Sequence, residues 1–394
     1  MKKVVLAYSG GLDTSVAVRW LAERGWDVVA VAVDVGQPGD LSEAVARARR
    51  IGASDARVVD ARARFVNDYV LRALAMNALY QGRYPLVSAL SRPLIAEVLV
   101  EQARAVSADA VAHGCTGKGN DQVRFEVSLA ALAPDLEVVA PVREWGMSRP
   151  ETVAYARERG LPIDVSGPSP YSIDENLWGR SIECGVLEDP WESPPDDVYG
   201  LTAPVRATEA VDVEIGFEAG VPVSLDGERA DPQHVVDGVG KIAGSFGFGR
   251  VDMVEDRVVG IKSREVYEAP AALALIAAHR DLEALTLDRF VAREKRRLEG
   301  VWAEIVYEGL WHSPLRAALD AFAASTQARV GGDVRLRFTA HACAPVGRRS
   351  RTSLYDGRLA TYEGGDAFDH GDAAGFVRLW SLPSRRWSEV GGRS

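Results

Sequence analysis

Residues 4–15 read Val4-Val5-Leu6-Ala7-Tyr8-Ser9-Gly10-Gly11-Leu12-Asp13-Thr14-Ser15. An apolar run meets two glycines, and hydroxyl residues then open an amphipathic segment through Val16, Leu21 and Ala22. This order predicts a strand, a tight turn and a helix. Glycines let backbone approach an anion, and a helix start aims free N–H groups and the positive end of its dipole at it. The loop therefore reads as a phosphate cradle, to which Ser9, Thr14 and Ser15 add hydroxyl donors. Asp13 is the odd member, since a carboxylate repels phosphate. It fits as an acidic residue in a first helical turn, or with Mg²⁺ between the two charges. The plainer alternative is a strand–turn–helix with a Ser/Thr cap and no ligand. No G-x-x-x-x-G-K-[ST] occurs, which disfavours a P-loop enzyme, and the loop is not G-x-G-x-x-G either.

Outward from this stretch, strand and helix signals alternate. Strands are expected at 28–33, 56–59, 109–112 and 137–140. Helices are expected at 13–25, 41–51, 61–80, 93–107 (with Pro93 as its first-turn proline), 121–132 and 148–160. Such alternation predicts an α/β fold with a parallel sheet covered on both faces, whose ligands sit at the carboxyl ends of the strands. The Pro-, Ser- and Gly-rich segment 166–197 breaks the pattern and reads as a domain boundary with functional loops. Beyond it, strands at 211–217, 221–225, 250–254, 257–262 and 334–338, with helices at 232–245 and across 270–328, predict an α+β domain with antiparallel pairs. The expected division is 1–166, 167–363 and a tail, 364–394, whose apolar patch at 373–379 has little of its own to bury.

The 394 residues carry a net charge of −10, which argues against nucleic acid as a partner. Composition is that of a globular protein, with 47% hydrophobic and 26% charged residues. Cys115, Cys184 and Cys343 are far apart and form no C-x-x-C, so neither a zinc ribbon nor a thiol–disulfide motif is present. No signal peptide or membrane-spanning run is evident, and a reduced cytoplasmic location is expected.

The second dense cluster is His113-Gly-Cys-Thr-Gly-Lys-Gly-Asn-Asp-Gln-Val-Arg-Phe-Glu126. Three glycines free the backbone at an expected strand end, and Thr116, Lys118, Asn120, Asp121, Gln122 and Arg124 follow with donors and acceptors of every kind. Polar density at that place in an α/β fold marks a binding site. Without a ligand it would be a glycine loop leading into a capped helix.

Ser9–Ser15 resembles the pyrophosphate loop of N-type ATP pyrophosphatases, and His113–Glu126 resembles the substrate loop of the argininosuccinate synthase family. Tyr-Pro-Leu at 84–86, Ser-Arg-Pro-Leu-Ile-Ala at 91–96, Pro-Tyr-Ser at 170–172, Leu-Glu-Asp-Pro-Trp at 187–191, Gly-Arg-Val-Asp at 249–252 and Gly-Ile-Lys-Ser-Arg-Glu-Val-Tyr-Glu-Ala-Pro at 260–270 extend the likeness along nearly the whole chain. The resemblance implies an N-terminal domain of the adenine nucleotide alpha hydrolase type and a C-terminal synthetase and multimerisation domain. It implies ATP and Mg²⁺ as cofactors, citrulline and aspartate as substrates, AMP and pyrophosphate as by-products, and a homotetramer. Ala7, Tyr8, Ser9, Gly10, Gly11, Leu12, Asp13, Thr14 and Ser15, with Val33 and Gly114, would hold ATP. Thr116, Asn120 and Asp121 would hold aspartate. Tyr84, Ser88, Asn120, Arg124, Ser172, Ser181, Glu255 and Tyr267 would hold citrulline. Asp13, Asp121 and Arg124 are the catalytic candidates, and no metal site is expected from protein ligands alone. The chain departs from the family at Val87-Ser88-Ala89, where Gly-Thr-Ser is common. Ala89 lacks the expected hydroxyl, and Ser88 is the neighbour that could supply it. Other readings are an ATP pyrophosphatase that adenylates a different amide or carbonyl, or a nucleotide-sensing or scaffold protein that kept the fold. The intact loop together with Asn120, Asp121 and Arg124 disfavours the latter.

Overall fold

A computed structural model describes residues 1–163, 170–205, 209–364 and 367–391. The chain forms two compact units, Met1–Thr352 and Ser353–Ser394. The first contains a parallel sheet of β1 (Lys3–Ala7), β2 (Asp27–Asp34), β3 (Asp55–Asp60), β4 (Ala110–Ala112) and β5 (Glu137–Val139), in the order β3-β2-β1-β4-β5. The inner strands β1, β2 and β4 are apolar on both faces because both faces are covered, whereas the edge strands β3 and β5 are partly exposed. Val5 packs among Phe65, Leu90 and Leu94, while Val4 and Leu6 point the other way, toward Val18, Leu21 and Ala48. The chain steps outward from β1 to β3 and then returns to the other side of β1 for β4. Strand order therefore reverses beside β1, and a crevice opens at the carboxyl ends of β1 and β4.

Two antiparallel sheets follow. One joins β6 (Ser172–Asn176), β7 (Gly179–Glu183), β11 (Arg250–Asp256) and β12 (Lys262–Glu268) in the order β11-β12-β7-β6. The other joins β8 (Val211–Glu218), β9 (Val221–Leu225), β10 (Glu228–Arg229), β13 (Gly332–Thr339) and β14 (Ala342–Arg349) in the order β10-β9-β8-β13-β14. Helices Pro232–Ser245, Pro270–Thr286, Arg289–Tyr307 and Pro314–Gln327 complete this part of the unit. The expected boundary at 166/167 lies outside the described residues.

Several sequence expectations need correction. Pro93 does not open a helix. It lies inside Val87–Ala105, which starts six residues earlier. The lost backbone bond is outweighed by burial of Val87, Leu90, Leu94, Val98 and Leu99. The helix expected over 61–80 ends at Ala75 and passes through a π-helical stretch, Phe65–Val70. Residues 257–262 are largely a turn, closed by Arg257 N–H donating to Ile261 O and Gly260 N–H to Arg257 O, and the strand begins at Lys262. The loop-like segment before Asp197 holds β6 and β7, whose polar composition hid them. β10 and β14 are also absent from the sequence reading, and the tail forms two helices, His370–Trp380 and Leu382–Gly391.

Candidate active site

A cleft of about 580 Å³ opens at the reversal point of the parallel sheet and is closed on its far side by the four-stranded sheet. Its first wall is the loop after β1. Gly10 sits at φ +78°, which glycine tolerates at no steric cost. The Leu12–Glu23 helix starts with no side-chain cap on Gly11, so its first N–H groups remain available for an anion. The hydroxyls are ordered within the loop: Ser9 Oγ lies 3.1 Å from Thr14 Oγ1, and Ser15 Oγ lies 3.0 Å from Tyr8 Oη. Asp13 stands in the first helical turn and lines the cleft. Burial raises its carboxyl above the ordinary value, against the pull of Arg149.

The second wall is the loop after β4. Gly114 packs so closely on the first loop that a Cβ there would lie 2.9 Å from Thr14 Cγ2. His113 Nε2 is 3.3 Å from Glu126 Oε1, and Glu126 also pairs with Arg143 at 2.6 Å. The His113 hydrogen bond and Arg143 hold the Glu126 carboxyl down at about 2. The Asn120–Leu132 helix then presents Asn120, Asp121 and Arg124. Arg124 Nη1 donates to Asp121 Oδ1 at 2.9 Å and Nε to Tyr307 O at 3.0 Å. Arg92 Nη2 bridges Asp121 and Asp174, at 2.8 Å from each. Burial opposes ionisation of Asp121, yet Arg92 and Arg124 together hold its carboxyl below the usual range. Asn120 is clamped at both ends, its Nδ2 donating to Tyr307 Oη at 2.8 Å and its Oδ1 accepting from Val258 N–H at 2.9 Å.

The third wall is one face of the four-stranded sheet, and register decides its composition. Glu255 pairs with Ser263, Tyr267 with Ser181, Asp174 with Ser181 and Ser172 with Glu183. Alternation therefore puts Ser172, Asp174, Ser181, Glu183, Glu255, Glu265 and Tyr267 on the same side. All seven line the cleft. Glu255 is 2% exposed and accepts from Tyr267 and Tyr307, each at 2.7 Å. Burial raises its carboxyl, and the two phenols pull the other way. Tyr84 stacks on Tyr267 with ring centroids 4.1 Å apart, and its Oη accepts from Ser88 N–H at 3.0 Å.

Thus Ala7, Tyr8, Ser9, Asp13, Thr14, Val33, Tyr84, Ser88, Gly114, Thr116, Asn120, Asp121, Arg124, Ser172, Ser181, Glu255 and Tyr267 come together in one cleft. Gly10, Gly11, Leu12 and Ser15 belong to the same loop without lining it, and Ser15 is buried against Tyr8. Ala89 is buried and does not line this cleft, whereas Ser88 Oγ donates to Asp174 Oδ2 at 2.8 Å on the cleft wall. Sequence reasoning missed Arg92, Asp174, Glu183, Arg257 and Glu265. Period-two alternation from Ser172 and Tyr267 would have found Asp174 and Glu265.

Residues 3–162 match the arginosuccinate synthase N-terminal HUP domain and residues 171–387 the arginosuccinate synthase C-terminal domain. The chain belongs to the argininosuccinate synthase family. It is 57% identical over 387 residues to the argininosuccinate synthase of Bacillus licheniformis, covering 98% of this chain and 96% of that protein. Identity is 55% over 387 residues to the argininosuccinate synthase of Bacillus subtilis, with the same coverage, and 55% over 393 residues to that of Rubrobacter xylanophilus, covering 99% and 96%. The chain is an ATP-dependent ligase with argininosuccinate synthase activity, serving arginine biosynthesis. Among the described residues, no helix is long and apolar enough to cross a membrane.

Proposed function

We propose that the cleft joins citrulline to aspartate at the expense of ATP, with the three walls dividing the substrates. The ATP phosphates lie on residues 9–15, with the adenosine bordered by Val33 and Gly114. Citrulline lies against the sheet face: Arg124 takes its carboxylate, Glu255 its ammonium, and Tyr84, Ser88, Ser172, Ser181 and Tyr267 its remaining polar atoms. Aspartate lies on Thr116, Asn120 and Asp121. The ureido oxygen attacks the α-phosphorus, and the bond to the β-phosphate breaks to release pyrophosphate. The aspartate amine then forms the new C–N bond at the ureido carbon as the C–O bond to AMP breaks. No side chain is required as a covalent nucleophile. The walls contribute alignment and charge stabilisation.

Asp13 fits a Mg²⁺ ion carried in with the phosphates, because it is the carboxylate of the phosphate loop. Among the described residues no cluster of three or more His, Cys, Asp or Glu side chains could hold a metal by itself. The ion would neutralise charge on the departing pyrophosphate. The three cysteines are free thiols, which supports a cytoplasmic setting. A homotetramer is the assembly we infer, with the tail helices at subunit contacts.

The observation that carries this reading is that the uncapped phosphate loop, the Asp121–Arg124 pair and the Glu255–Tyr267 face line a single cleft. Pyrophosphate release should require ATP, Mg²⁺ and citrulline together, and formation of the ligated product should in addition require aspartate. Pyrophosphate release that ignores citrulline would overturn the assignment.

A further inference from the structure

Aspartate brings two carboxylates into the cleft, and the residues assigned to it supply none of the positive charge those groups need. Thr116 offers a hydroxyl, Asn120 an amide and Asp121 a third negative charge. The arginines that line the cleft are Arg92, Arg124 and Arg257. Arg92 is committed to Asp121 and Asp174, and Arg124 to Asp121, to Tyr307 O and, in the reading above, to citrulline. Lys118 is exposed and outside the lining, and Arg143 is tied to Glu126 and Gln122.

Arg257 remains. It leaves β11 at the hairpin turn that touches the aspartate loop: Arg257 Nη1 lies 3.4 Å from Lys118 O, and the next residue, Val258, donates its N–H to Asn120 Oδ1 at 2.9 Å. Its other donors are anchored from behind. Nε donates to Ser263 Oγ at 2.7 Å, and Nη2 reaches both Glu183 and Glu265, the latter at 2.7 Å. Its side chain is 15% exposed, so its charge is poorly screened. Burial, with Glu183 and Glu255 nearby, raises the Glu265 carboxyl, against the pull of Arg257. The Nη1 edge, held only by one long contact to a carbonyl, faces residues 116–120.

We propose that Arg257 is the cation that selects the dicarboxylate co-substrate, its Nη1 edge pairing with a carboxylate of aspartate. The inference rests on the proposed placement of aspartate at Thr116, Asn120 and Asp121. It gives a reason for the Glu183–Glu265–Ser263 brace, which orients a planar guanidinium as a lysine ammonium could not be oriented. It also predicts discrimination against asparagine, which would present one carboxylate in place of two.

The test is steady-state kinetics of the full-length enzyme and its R257Q and R257K variants, with citrulline and aspartate varied separately. R257Q should raise KM for aspartate about 10–100-fold, the scale of one lost charge-assisted hydrogen bond, and KM for citrulline less than about threefold. R257K should recover part of the aspartate loss, and the preference of R257Q for aspartate over asparagine should shrink. Equal changes in the two KM values, or no change in the aspartate value, would overturn the proposal. If R257Q fails to fold, R257K decides by the same ratio. Failure of citrulline-dependent pyrophosphate release in the unaltered enzyme would instead sink the underlying reading, so the two failures are distinguishable.

Discussion

At the scale of single residues, the cleft is an alternating chain of charge: Arg124, Asp121, Arg92, Asp174. Each carboxylate in it is held by at least one guanidinium at 2.8–2.9 Å. Removing one cation from such a chain exposes the carboxylate it held, unless a second cation remains. Asp121 keeps Arg92 when Arg124 is lost, so Arg124→Ala should fold. Its defect should fall on citrulline, with KM raised about 10–100-fold, while KM for ATP changes less than about threefold. Equal effects on the two substrates would remove Arg124 from its assigned place. Residue identity was legible here because the motif residues are polar in a glycine-rich context. Arg92 and Arg257 were not legible as site residues, although both lie in or beside quoted motifs. Their importance comes from partners far along the chain, Asp174 and Glu183.

At the scale of elements, two glycine-bearing loops from adjacent strands, β1 and β4, must approach each other to form the wall on which we propose ATP binds. Gly114 meets Thr14 with no room for a side chain. Gly114→Ala should push the two loops apart and destabilise the protein by about 1–3 kcal/mol, the usual cost of overpacking. KM for ATP should rise more than KM for citrulline, and thermal melting would report the stability change. An unchanged KM for ATP would show that this close approach is dispensable. The parallel strands were legible because buried strands carry continuous apolar runs, as Val4-Val5-Leu6 does. β6 and β7 were not: Ser172–Asn176 and Gly179–Glu183 face a polar cleft and lack the apolar alternation that marks a strand. The same absence misplaced β12, whose polar Glu265 lines the cleft. Pro93 misled because a proline marks a helix start on average, and only tertiary burial of its helix overrode that preference.

At the scale of the whole molecule, a buried polar knot ties distant segments together. Lys295 Nζ lies 2.9 Å from both Glu283 and Glu299, and Asn77 Nδ2 donates to the same two carboxylates at 2.7 Å. Lys295→Met would leave Glu283 with no lysine or arginine beside it among the described residues, while Glu299 keeps Arg280 at 3.3 Å. It should cost about 3–5 kcal/mol, measured by urea unfolding, and adding Glu283→Gln and Glu299→Gln should return part of that loss. A Lys295→Met variant as stable as the parent would show that the knot carries no net charge burden. The tail unit presents Phe376, Trp380 and Trp387 to solvent at 60–82% exposure, more large apolar surface than a short helix pair leaves open without a partner. Light scattering should report four copies for the full chain and fewer for a Phe376→Asp, Trp380→Asp, Trp387→Asp variant. An unchanged mass would separate the tail from assembly.

The class of fold and the two glycine-bearing loops that line the cleft are legible in the sequence alone, because those features are local: a strand, a turn and a helix start are written in consecutive residues. The family motifs extended that reading along the chain. Which face of the β11-β12-β7-β6 sheet meets the loops is set in three dimensions, since strand register sets side-chain direction and register is a relation between segments far apart in sequence. The tertiary structure also decided how the charges pair. Coulombic partners such as Arg92 with Asp174, or Arg257 with Glu183, are set by distance in space, and the linear order of residues carries no measure of that distance.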